Sequence, residues 1–483
     1  FLGSDFAIWF RWGNGKLNNI GRDTGARDRY NRCRAKPMGN TEMSDTAVTT
    51  ATKIVRRPAA AKSWDVEADI CVAGAGITGI SAAIEAARLG RRVVLVDSLP
   101  ALGGQAVNSI IGTFCGMFHN GPDRYQFTYG IADEILTDLG ASGDLYYRIG
   151  PGWTTVFYDE VALGRWIEEA VKKAGIEMVL GANIRAASFE NRRIQELDIS
   201  TRYGDVRVHA DGFVDASGDA VLAWLAGLEC REPADGPIYG TQMVVLENVH
   251  MDKQPSREEL AARMEEKARE YGVVREDGLA FFFEGKDTVA LNMTHMETPL
   301  EPLAASKMGL EGRAQTRNAI DFLKSEFPDC FRDASVRAYG FPGIRQTRWI
   351  KGAYQLNVED VRSGKEFDDA VARTAWGLEI HDDKHKLYWE GFDKGPHVHQ
   401  VPLSTMISAD ADNLVAAGRC IDGDVAALSS VRVMGPCMAM GAAAAHSLDL
   451  AGSGSVHQID MAALKDRLKD NLERRDYRDE ACP

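Results

Sequence analysis

The 483-residue sequence predicts an α/β fold with a parallel sheet, and three consecutive segments carry this prediction. An apolar run over 68–73 leads into the turn Gly74-Ala-Gly-Ile-Thr-Gly79, and a helix rich in small residues follows over 80–90. A second apolar run over 92–97 ends on Asp97. Because strand, glycine turn, helix, strand and acid occur in this order, the segment is predicted to be a dinucleotide-binding βαβ unit.

Each residue of the glycine turn has a physical task in this prediction. Gly74 permits the tight turn, Gly76 lets the backbone approach a pyrophosphate, and Gly79 allows the helix to pack closely on the strand. The N-terminus of the helix favours phosphate charge, and Asp97 is placed to accept hydrogen bonds from a ribose hydroxyl pair. The predicted cofactor residues of this unit are Gly74, Gly76, Ile77, Thr78, Gly79, Asp97 and Ser98.

Two further segments distinguish this chain from NAD dehydrogenases. Gly103, Gly104 and Gln105 follow Asp97 within a few residues, and a strand leads far downstream to the turn Asp215-Ala-Ser-Gly-Asp219. Between them the pattern predicts a helix over 159–174 and strands over 176–180, 184–189, 194–200 and 205–210. A meander of strands inserted at this point is unlike an NAD dehydrogenase.

The second half of the chain adds two more motifs. Arg345-Gln-Thr-Arg348 precedes Gly352, and the stretch 413–424 contains Gly418-Arg419 and leads into 429–444. In this order, the four stretches resemble the FAD-dependent oxidoreductase family of the glutathione-reductase-like flavoprotein superfamily, over about four fifths of the chain. The resemblance implies FAD as cofactor and adds to the predicted cofactor residues Gly103, Gly104, Gln105, Ala216, Ser217, Gly218, Asp219, Gly418, Arg419, Met434, Cys437 and Met438.

The resemblance also implies a domain organisation. A discontinuous Rossmann-like FAD-binding domain is expected over 65–235 and 406–455, with an α+β substrate domain inserted over 236–405. Sequence periodicity in the inserted part predicts strands over 239–249 and 287–294 and exposed helices over 256–271 and 304–327. Residues 456–483 are predicted to be a C-terminal helical tail with a charged amphipathic helix over 460–475.

Gly435-Pro436 predicts a helix that begins just after the proline. In the resembling family the N-terminus of this helix points at the flavin pyrimidine, where its dipole stabilises negative charge during reduction. Cys437 lies in the first turn, and because it lacks a partner cysteine we expect a packing or backbone role instead of a redox role.

Two absences from the sequence narrow the chemistry. Cys115 has no second cysteine about four residues away, as a glutathione-reductase-type active site requires, and no second glycine-rich strand–turn–helix for NAD(P)H follows. We therefore expect hydride transfer between a small organic, hydroxy or carboxylic, substrate and flavin N5, with an external electron partner. Two alternatives stay open: an oxygen-using oxidase or hydroxylase, and an electron-transfer subunit without a substrate of its own.

The candidate catalytic residues come from the second half of the chain. In Leu378-Glu-Ile-His-Asp382, strand geometry places Glu379 and His381 on one face, so that the acid orients the imidazole and His381 acts as general base. A histidine hydrogen-bonded at a domain seam is the alternative. Arg345 and Arg348 are candidates for binding a substrate carboxylate and bracing the FAD domain, with structural ion pairs as the alternative, and Arg432 is a candidate cofactor or substrate contact.

Charge and composition exclude several classes of function. The net charge is −14, and because residues 1–60 carry +6, the remainder carries −20, which disfavours nucleic acid as a partner. No apolar run reaches the roughly 18 residues of a membrane span. The eight cysteines are scattered, which predicts reduced thiols and a cytoplasmic location. His397 and His399 lack further ligands of suitable spacing, so no metal site is expected. Residues 1–62 are predicted to be disordered, and the oligomeric state is open.

Overall fold

The computed structural model describes residues 52–56, 63–283, 285–392 and 394–478. The strands are β1 (Trp64–Ala73), β2 (Val93–Asp97), β3 (Thr113–Phe114), β4 (Leu145–Gly150), β5 (Trp153–Tyr158), β6 (Glu177–Leu180), β7 (Ala182–Glu190), β8 (Arg193–Thr201), β9 (Gly204–Asp215), β10 (Cys230–Arg231), β11 (Thr241–Glu247), β12 (Leu279–Phe283), β13 (Thr288–Asn292), β14 (Ser335–Gly343), β15 (Trp349–Ile350), β16 (Ala370–Thr374), β17 (Leu378–Ile380), β18 (Tyr388–Glu390), β19 (His399–Pro402) and β20 (Leu414–Ala416). The helices are α1 (Ile77–Arg88), α2 (Gly104–Asn108), α3 (Ile131–Ser142), α4 (Glu160–Lys173), α5 (Val221–Leu225), α6 (Arg257–Lys267), α7 (Pro302–Ala305), α8 (Met308–Glu326), α9 (Pro328–Phe331), α10 (Val358–Ser363), α11 (Val425–Val431), α12 (Met434–Ala451), α13 (Met461–Arg467) and α14 (Lys469–Glu473).

A parallel sheet in the order β6-β2-β1-β9 is the centre of the fold. The long strand β9 has two partners along one edge: its first half pairs with β8 in an antiparallel hairpin, and its last residues pair in parallel with β20. The carboxyl ends of β1, β9 and β20 therefore meet at one edge of the sheet, where ligands bind in open α/β sheets.

The helices α1 and α12 pack together on this sheet because both consist mainly of small and apolar residues. Ser81 in α1 is buried, and its hydroxyl donates to the carbonyl of Met438 in α12 at 2.7 Å. This direct contact places the N-termini of the two helices near the same edge of the sheet. The segments 65–97 and 413–445, more than 300 residues apart, thereby form one nucleotide-binding scaffold.

A second, antiparallel sheet has the order β12-β13-β11-β14. It shares a separate hydrophobic core with α6 and α8, in which Phe322, Leu291 and Val244 are fully buried. From residue 63 to residue 478 the described residues form one compact unit. The boundaries at 65–235, 236–405, 406–455 and 456–483 therefore stay predictions.

Most elements lie where the sequence predicts them, and the differences concern where elements end or divide. The predicted helix over 159–174 is α4, and Asp159 caps it: one carboxylate oxygen accepts from the backbone N–H groups of Val161 and Ala162, and the other accepts from Lys286. The predicted strand over 205–210 continues to Asp215 as the single strand β9.

Three predicted helices are shorter than expected. The helix predicted over 304–327 is divided into α7 and α8, and the helix predicted over 460–475 is divided into α13 and α14 at Leu468. The helix predicted over 256–271 ends as the 3₁₀ turn Ala268–Tyr271. The apolar spacing continues across these short breaks, so the sequence pattern does not reveal them.

The predicted disordered segment 1–62 lies, apart from 52–56, outside the described residues. In the described part of the chain, no single helix has both the length and the apolar composition to span a bilayer. Helices α11 and α12 pass that test only together, as a pair bent by 88°.

Candidate active site

A cavity of about 710 Å³ lies at the carboxyl edge of the parallel sheet. It extends from the glycine turn after β1, past the end of β2 and the turn after β9, to the N-terminus of α12 and the second sheet. This volume lies within the range of about 300–1,000 Å³ for ligand pockets. Two parts of the lining differ in chemistry: glycine and backbone predominate in the turns after β1 and β9, whereas Glu379, Arg345 and Arg432 form a cluster of charged side chains.

The glycine turn after β1 belongs to the first of these parts. Gly74 has φ +104°, and a Cβ there would lie 2.3 Å from the carbonyl oxygen of Ala216, so the two crossing backbone segments admit only glycine. Gly76 has φ −72°, lines the cavity, and a Cβ there would meet nothing within 4 Å. The space over Gly76 is therefore a cradle that a side chain would fill, as close approach of a pyrophosphate requires.

Helix α1 begins at this cradle with an electropositive end. Its N-cap residue is Gly76, no side chain caps the first turn, and the first turn contains no acidic residue. Ile77 and Thr78 of this turn line the cavity. Because the helix dipole and the first N–H groups are not neutralised by the chain, this part of the cavity favours an anion.

Asp97 ends β2 and lines the cavity next to Ser98. One of its carboxylate oxygens accepts from the backbone N–H of Ala75 at 2.6 Å, and the other accepts from Leu99 at 2.7 Å. These bonds fix the carboxylate beside the glycine turn. Each oxygen has a further lone pair, so the group can also accept from ligand hydroxyls.

The turn after β9 is held together by a buried carboxylate. Asp215 is fully buried and accepts from Ser217 and from the backbone N–H groups of Leu222 and Ala223. Burial raises the pKa of Asp215, while these hydrogen bonds oppose the rise. Asp215 itself does not line the cavity, but it presents Ala216 through Asp219, which do.

Arg419 approaches this turn from the 3₁₀ turn after β20. Its guanidinium contacts Gly218, lies 3.6 Å from a carboxylate oxygen of Asp219, and lines the cavity. The Nη1 atom of Arg419 is buried without a hydrogen-bond partner. A buried donor without a partner is costly, and a bound anionic group would supply the missing acceptor.

The predicted Gly103-Gly104-Gln105 loop connects the cavity wall to the second sheet. Gly103 donates its N–H to the Ala75 carbonyl at 2.8 Å, and the side chain of Gln105 accepts from the N–H of Ile344 at 3.0 Å. The wall formed by Phe341, Pro342, Gly343 and Ile344 is therefore fixed to the nucleotide-binding side.

Helix α12 begins at Met434, two residues before Pro436, so the predicted start after the proline is wrong. Pro436 occupies the first turn, where the missing N–H is tolerated. Met434 and Cys437 line the cavity, and no side chain caps this N-terminus. The Cys437 thiol donates to the Arg432 carbonyl at 3.1 Å, and burial raises its pKa to about 12.

Glu379, Arg345 and Arg432 form the charged cluster of the cavity wall. Arg345 donates to the Tyr239 carbonyl at 2.7 Å and to the Thr241 hydroxyl at 2.8 Å. Arg432 donates to the Glu379 carbonyl at 3.1 Å, and its Nε is buried without a partner. In the part of the chain that the structure describes, neither guanidinium forms an ion pair.

His381 does not lie in the cavity, contrary to the prediction. It is fully buried behind Glu379, with its Nε2 3.1 Å from Glu379 Oε1. The predicted contact between the two side chains is present, but the carboxyl group is the member that faces the cavity. Burial and the nearby arginines Arg345, Arg275 and Arg432 hold the pKa of His381 well below its ordinary value.

A third residue of this cluster, His295, was not identified from the sequence. It is fully buried after β13, and its Nε2 lies 2.9 Å from Nδ1 of His381. No motif surrounds His295. It follows a predicted strand, and that is the only signal the sequence offers.

Arg348 does not line the cavity, and which arginine of the pair binds substrate and which braces the FAD domain stays a prediction. The Arg348 guanidinium lies 3.9 Å above the Trp224 ring, and its Nε is 3.2 Å from Glu232. This is the structural ion pair that the sequence left as the alternative. Arg345 and Arg348 point to different places because the segment between β14 and β15 is irregular.

Most predicted cofactor residues line one cavity although they come from four separate segments. The cavity residues among them are Gly74, Gly76, Ile77, Thr78, Asp97, Ser98, Gly104, Gln105, Ala216, Ser217, Gly218, Asp219, Arg419, Met434 and Cys437. Four others lie behind the wall: Gly79, Gly103, Gly418 and Met438. The wall residues absent from the prediction include Asn183, Thr241, Met243, Phe281, Asn292 and Phe341.

Among the described residues, no group of three or more potential ligands has the arrangement of a metal site. His397 and His399 bond each other, with Nε2 of the first 3.1 Å from Nδ1 of the second. The Nε2 of His399 lies 2.9 Å from the Ser430 hydroxyl. Both imidazoles therefore already have partners within the protein.

Comparisons with known proteins place this geometry in a family. The model of a family described as FAD dependent oxidoreductase matches residues 69–468. Among solved structures, a geranylgeranyl bacteriochlorophyll reductase-like protein of Thermoplasma acidophilum has 13% identity and a TM-score of 0.45, covering 85% of each chain. The anhydrotetracycline hydroxylase OxyS of Streptomyces rimosus has 13% identity and a TM-score of 0.39, covering 84% of this chain and 66% of its own.

The flavin-dependent brominase Bmp2 has 13% identity and a TM-score of 0.42, covering 84% of this chain and 83% of its own. No curated protein sequence matches the chain. The cradle over Gly76, the uncapped start of α1 and the unpartnered Nη1 of Arg419 fit the anionic backbone of FAD. The chain belongs to the FAD-dependent oxidoreductase family, and its cofactor is FAD.

Proposed function

We propose that this enzyme transfers a hydride between flavin N5 and a small organic substrate that carries an anionic group such as a carboxylate. The observation that carries the proposal is a cluster of three charged side chains in the cavity wall. Arg345 and Arg432 both lie near Glu379, and Arg432 donates to the Glu379 carbonyl. One proton-transfer group and two cations are what such a reaction requires of the protein.

The two arginines bind and orient the substrate. Their present acceptors are carbonyl and hydroxyl oxygens, which satisfy hydrogen bonds without neutralising charge. Desolvation, followed by the neighbouring cations Arg275 and Arg432, lowers the pKa of Arg345, yet a guanidinium keeps its proton in proteins. Two guanidinium groups whose hydrogen-bond acceptors are uncharged oxygens make this part of the cavity a site for an anion.

Glu379 holds or moves the proton that accompanies the hydride. Its side chain lines the cavity, while its backbone is tied in place by the Ser429 hydroxyl, which accepts from the Glu379 N–H at 3.0 Å. A carboxyl group in this position can give a proton to, or take one from, a substrate atom. This role belongs to Glu379 because His381 is fully buried.

When bound, FAD supplies the two-electron chemistry, accepting or donating a hydride at N5. An electron partner outside the chain completes the cycle in this proposal. The glutathione-reductase-like placement, the inserted substrate domain and a cytoplasmic location belong to the same proposal.

The experiment compares two arginine variants in anaerobic stopped-flow reduction of bound FAD by small carboxylates. Arg345→Met is expected to retain FAD and to weaken substrate binding roughly 10- to 150-fold, the cost of losing one charge-assisted contact. Arg348→Met, a matched change in the same motif but outside the cavity, is expected to behave as wild type. Equal effects of the two changes would overturn the assignment.

A further inference from the structure

Glu379, His381 and His295 form an unbroken chain of hydrogen bonds that leads from the cavity into the protein. Glu379 Oε1 lies 3.1 Å from His381 Nε2, and His381 Nδ1 lies 2.9 Å from His295 Nε2. The last of these hydrogen bonds joins His295 Nδ1 to the carbonyl oxygen of Lys384 at 3.0 Å. Both imidazoles are completely buried, so water does not provide alternative partners.

The carbonyl oxygen of Lys384 determines which nitrogen atoms of His295 and His381 carry protons. A carbonyl oxygen only accepts, so Nδ1 of His295 carries a proton. In a neutral His295 the Nε2 atom then has a lone pair and accepts from Nδ1–H of His381. In a neutral His381 the Nε2 atom likewise accepts, and its partner is Glu379 Oε1. A carboxyl oxygen donates only when it is protonated.

The surroundings keep both imidazoles neutral. Burial, together with Arg275 and Arg345, lowers the pKa of His295 to about 2, and burial with Arg345, Arg275 and Arg432 holds the pKa of His381 well below its ordinary value. An imidazolium at His381 would stand among three guanidinium groups without access to water. The neutral pair of a carboxylic acid and an imidazole avoids that cost.

Two other carboxylates near these hydrogen bonds, Asp277 and Asp383, are already engaged. Asp277 pairs with Arg275 at 2.8 Å, and Asp383 accepts from the backbone N–H groups of His385 and Lys386. The second oxygen of Glu379, Oε2, accepts from the Trp376 indole at 3.1 Å. This bond suits the carbonyl oxygen of a carboxylic acid and leaves Oε1 for the proton.

The position of His295 is itself tightly set. The side chain of Gln315 accepts from the His295 N–H at 3.0 Å and donates to the His295 carbonyl at 2.9 Å. Gln315 lies on α8, and the Tyr239 ring stacks on the imidazole with 5.8 Å between the centroids. The second sheet and its helix thereby hold the residue that ends the proton chain.

We propose that Glu379 and His381 share a single proton that resides on Glu379 Oε1, and that His295 is the positioning residue that keeps it there by fixing the tautomer of His381. Only the transfer of this proton to or from a substrate rests on the proposed function; the position of the proton does not. In the reductive direction the substrate gains a hydride and this proton, leaving Glu379 as a carboxylate and His381 neutral. In the oxidative direction the substrate loses both, and the proton returns to Oε1.

Infrared spectroscopy of the FAD-loaded protein tests the proton position without turnover. Protein labelled with ¹³C at the glutamate carboxyl carbon is compared with Glu379→Gln labelled in the same way, at neutral pH. The wild-type minus variant spectrum is expected to contain the C=O band of a protonated carboxylic acid. A carboxylate pair of bands in its place would overturn the proposal, whatever the enzyme does with substrates.

Two substitutions of His295 test the positioning role. His295→Gln offers an amide oxygen to Nδ1–H of His381 and is expected to retain the acid band, whereas His295→Leu removes the acceptor, frees the other tautomer and is expected to lose it. Identical bands in all three proteins would overturn the role of His295.

If the leucine variant does not fold, His295→Phe takes its place, because it keeps a planar ring and also removes the acceptor for Nδ1–H of His381. FAD absorbance and melting temperature are recorded for each protein as a check of folding. A protein that has the acid band but is not reduced by any carboxylate would refute the proposed function and leave this inference standing. A protein whose flavin is reduced by a carboxylate but that lacks the acid band would refute this inference and leave the proposed function standing.

Discussion

Gly76→Ala separates cofactor binding from folding more sharply than any other single change. The backbone there has φ −72°, which alanine adopts readily, and the added methyl meets nothing within 4 Å in the protein. Reduced freedom of the unfolded chain is expected to stabilise the variant by about 0.4–1 kcal/mol. Loss of a good N-cap residue offsets this by about 0.5–1 kcal/mol, so the unfolding free energy of the apoprotein should barely change.

FAD binding is expected to respond differently, because the methyl occupies the cradle at the start of α1. Forcing one methyl into a filled space costs about 1–3 kcal/mol, which is roughly a 5- to 150-fold increase in Kd. The assay pairs denaturant unfolding of the apoprotein with a fluorescence-quenching titration of FAD. Gly90→Ala is the matched control at the other end of α1: its φ is +78° in open space, so it should lose about 1–2 kcal/mol of stability at unchanged Kd.

Two results would refute this reasoning. Wild-type affinity for FAD in Gly76→Ala would mean that the pyrophosphate does not approach this turn. A large loss of apoprotein stability in Gly76→Ala would mean that the space over Gly76 is filled by the protein itself, contrary to the geometry.

Three other outcomes are expected. Arg348→Met should leave FAD affinity unchanged and cost less than about 1 kcal/mol of stability, measured by denaturant unfolding. Burial raises the pKa of Asp159, but the hydrogen bonds from Lys286 and the α4 backbone lower it more. Asp159→Ala should therefore reduce the unfolding free energy by about 1–2 kcal/mol at pH 7, and this difference should disappear as the pH falls below that lowered pKa. Burial lowers the pKa of His295 to about 2 and of His399 to about 3. Below about pH 6.5 these histidines bind protons in the unfolded chain but not in the folded chain, so the unfolding free energy should fall by roughly 1.4 kcal/mol per histidine per pH unit. His399→Gln should therefore flatten the dependence of melting temperature on pH.

The parts of the site that the sequence predicts correctly are local in the chain. The turn from Gly74 to Gly79 requires particular residues at particular spacings, because a tight turn and a close backbone approach leave no space for a Cβ. Those constraints are visible within a few residues. The same holds for Asp159, whose side chain caps the helix that begins one residue later.

The parts that the sequence does not predict depend on contacts between distant segments. Glu379 and His381 do touch, as their spacing predicts, but which of them faces the cavity depends on His295, 86 residues away, packed behind them. Arg345 and Arg348 look equivalent in one motif, yet the irregular chain between β14 and β15 directs one into the cavity and the other onto Trp224. The spacing of apolar residues in the sequence does not show into which part of the protein these side chains point.

The most direct test of the account is anaerobic mixing of the holoprotein with pairs of small compounds that differ only in a carboxylate or its neutral amide. Both the oxidised protein and the protein with its flavin chemically reduced are followed by flavin absorbance. At least one carboxylate is expected to change the flavin redox state in wild type, whereas its amide is not. Glu379→Gln is expected to slow the change by about 10²–10⁴-fold while retaining FAD. Equal reactivity of acid and amide, or an unaffected Glu379→Gln, would contradict the proposed function.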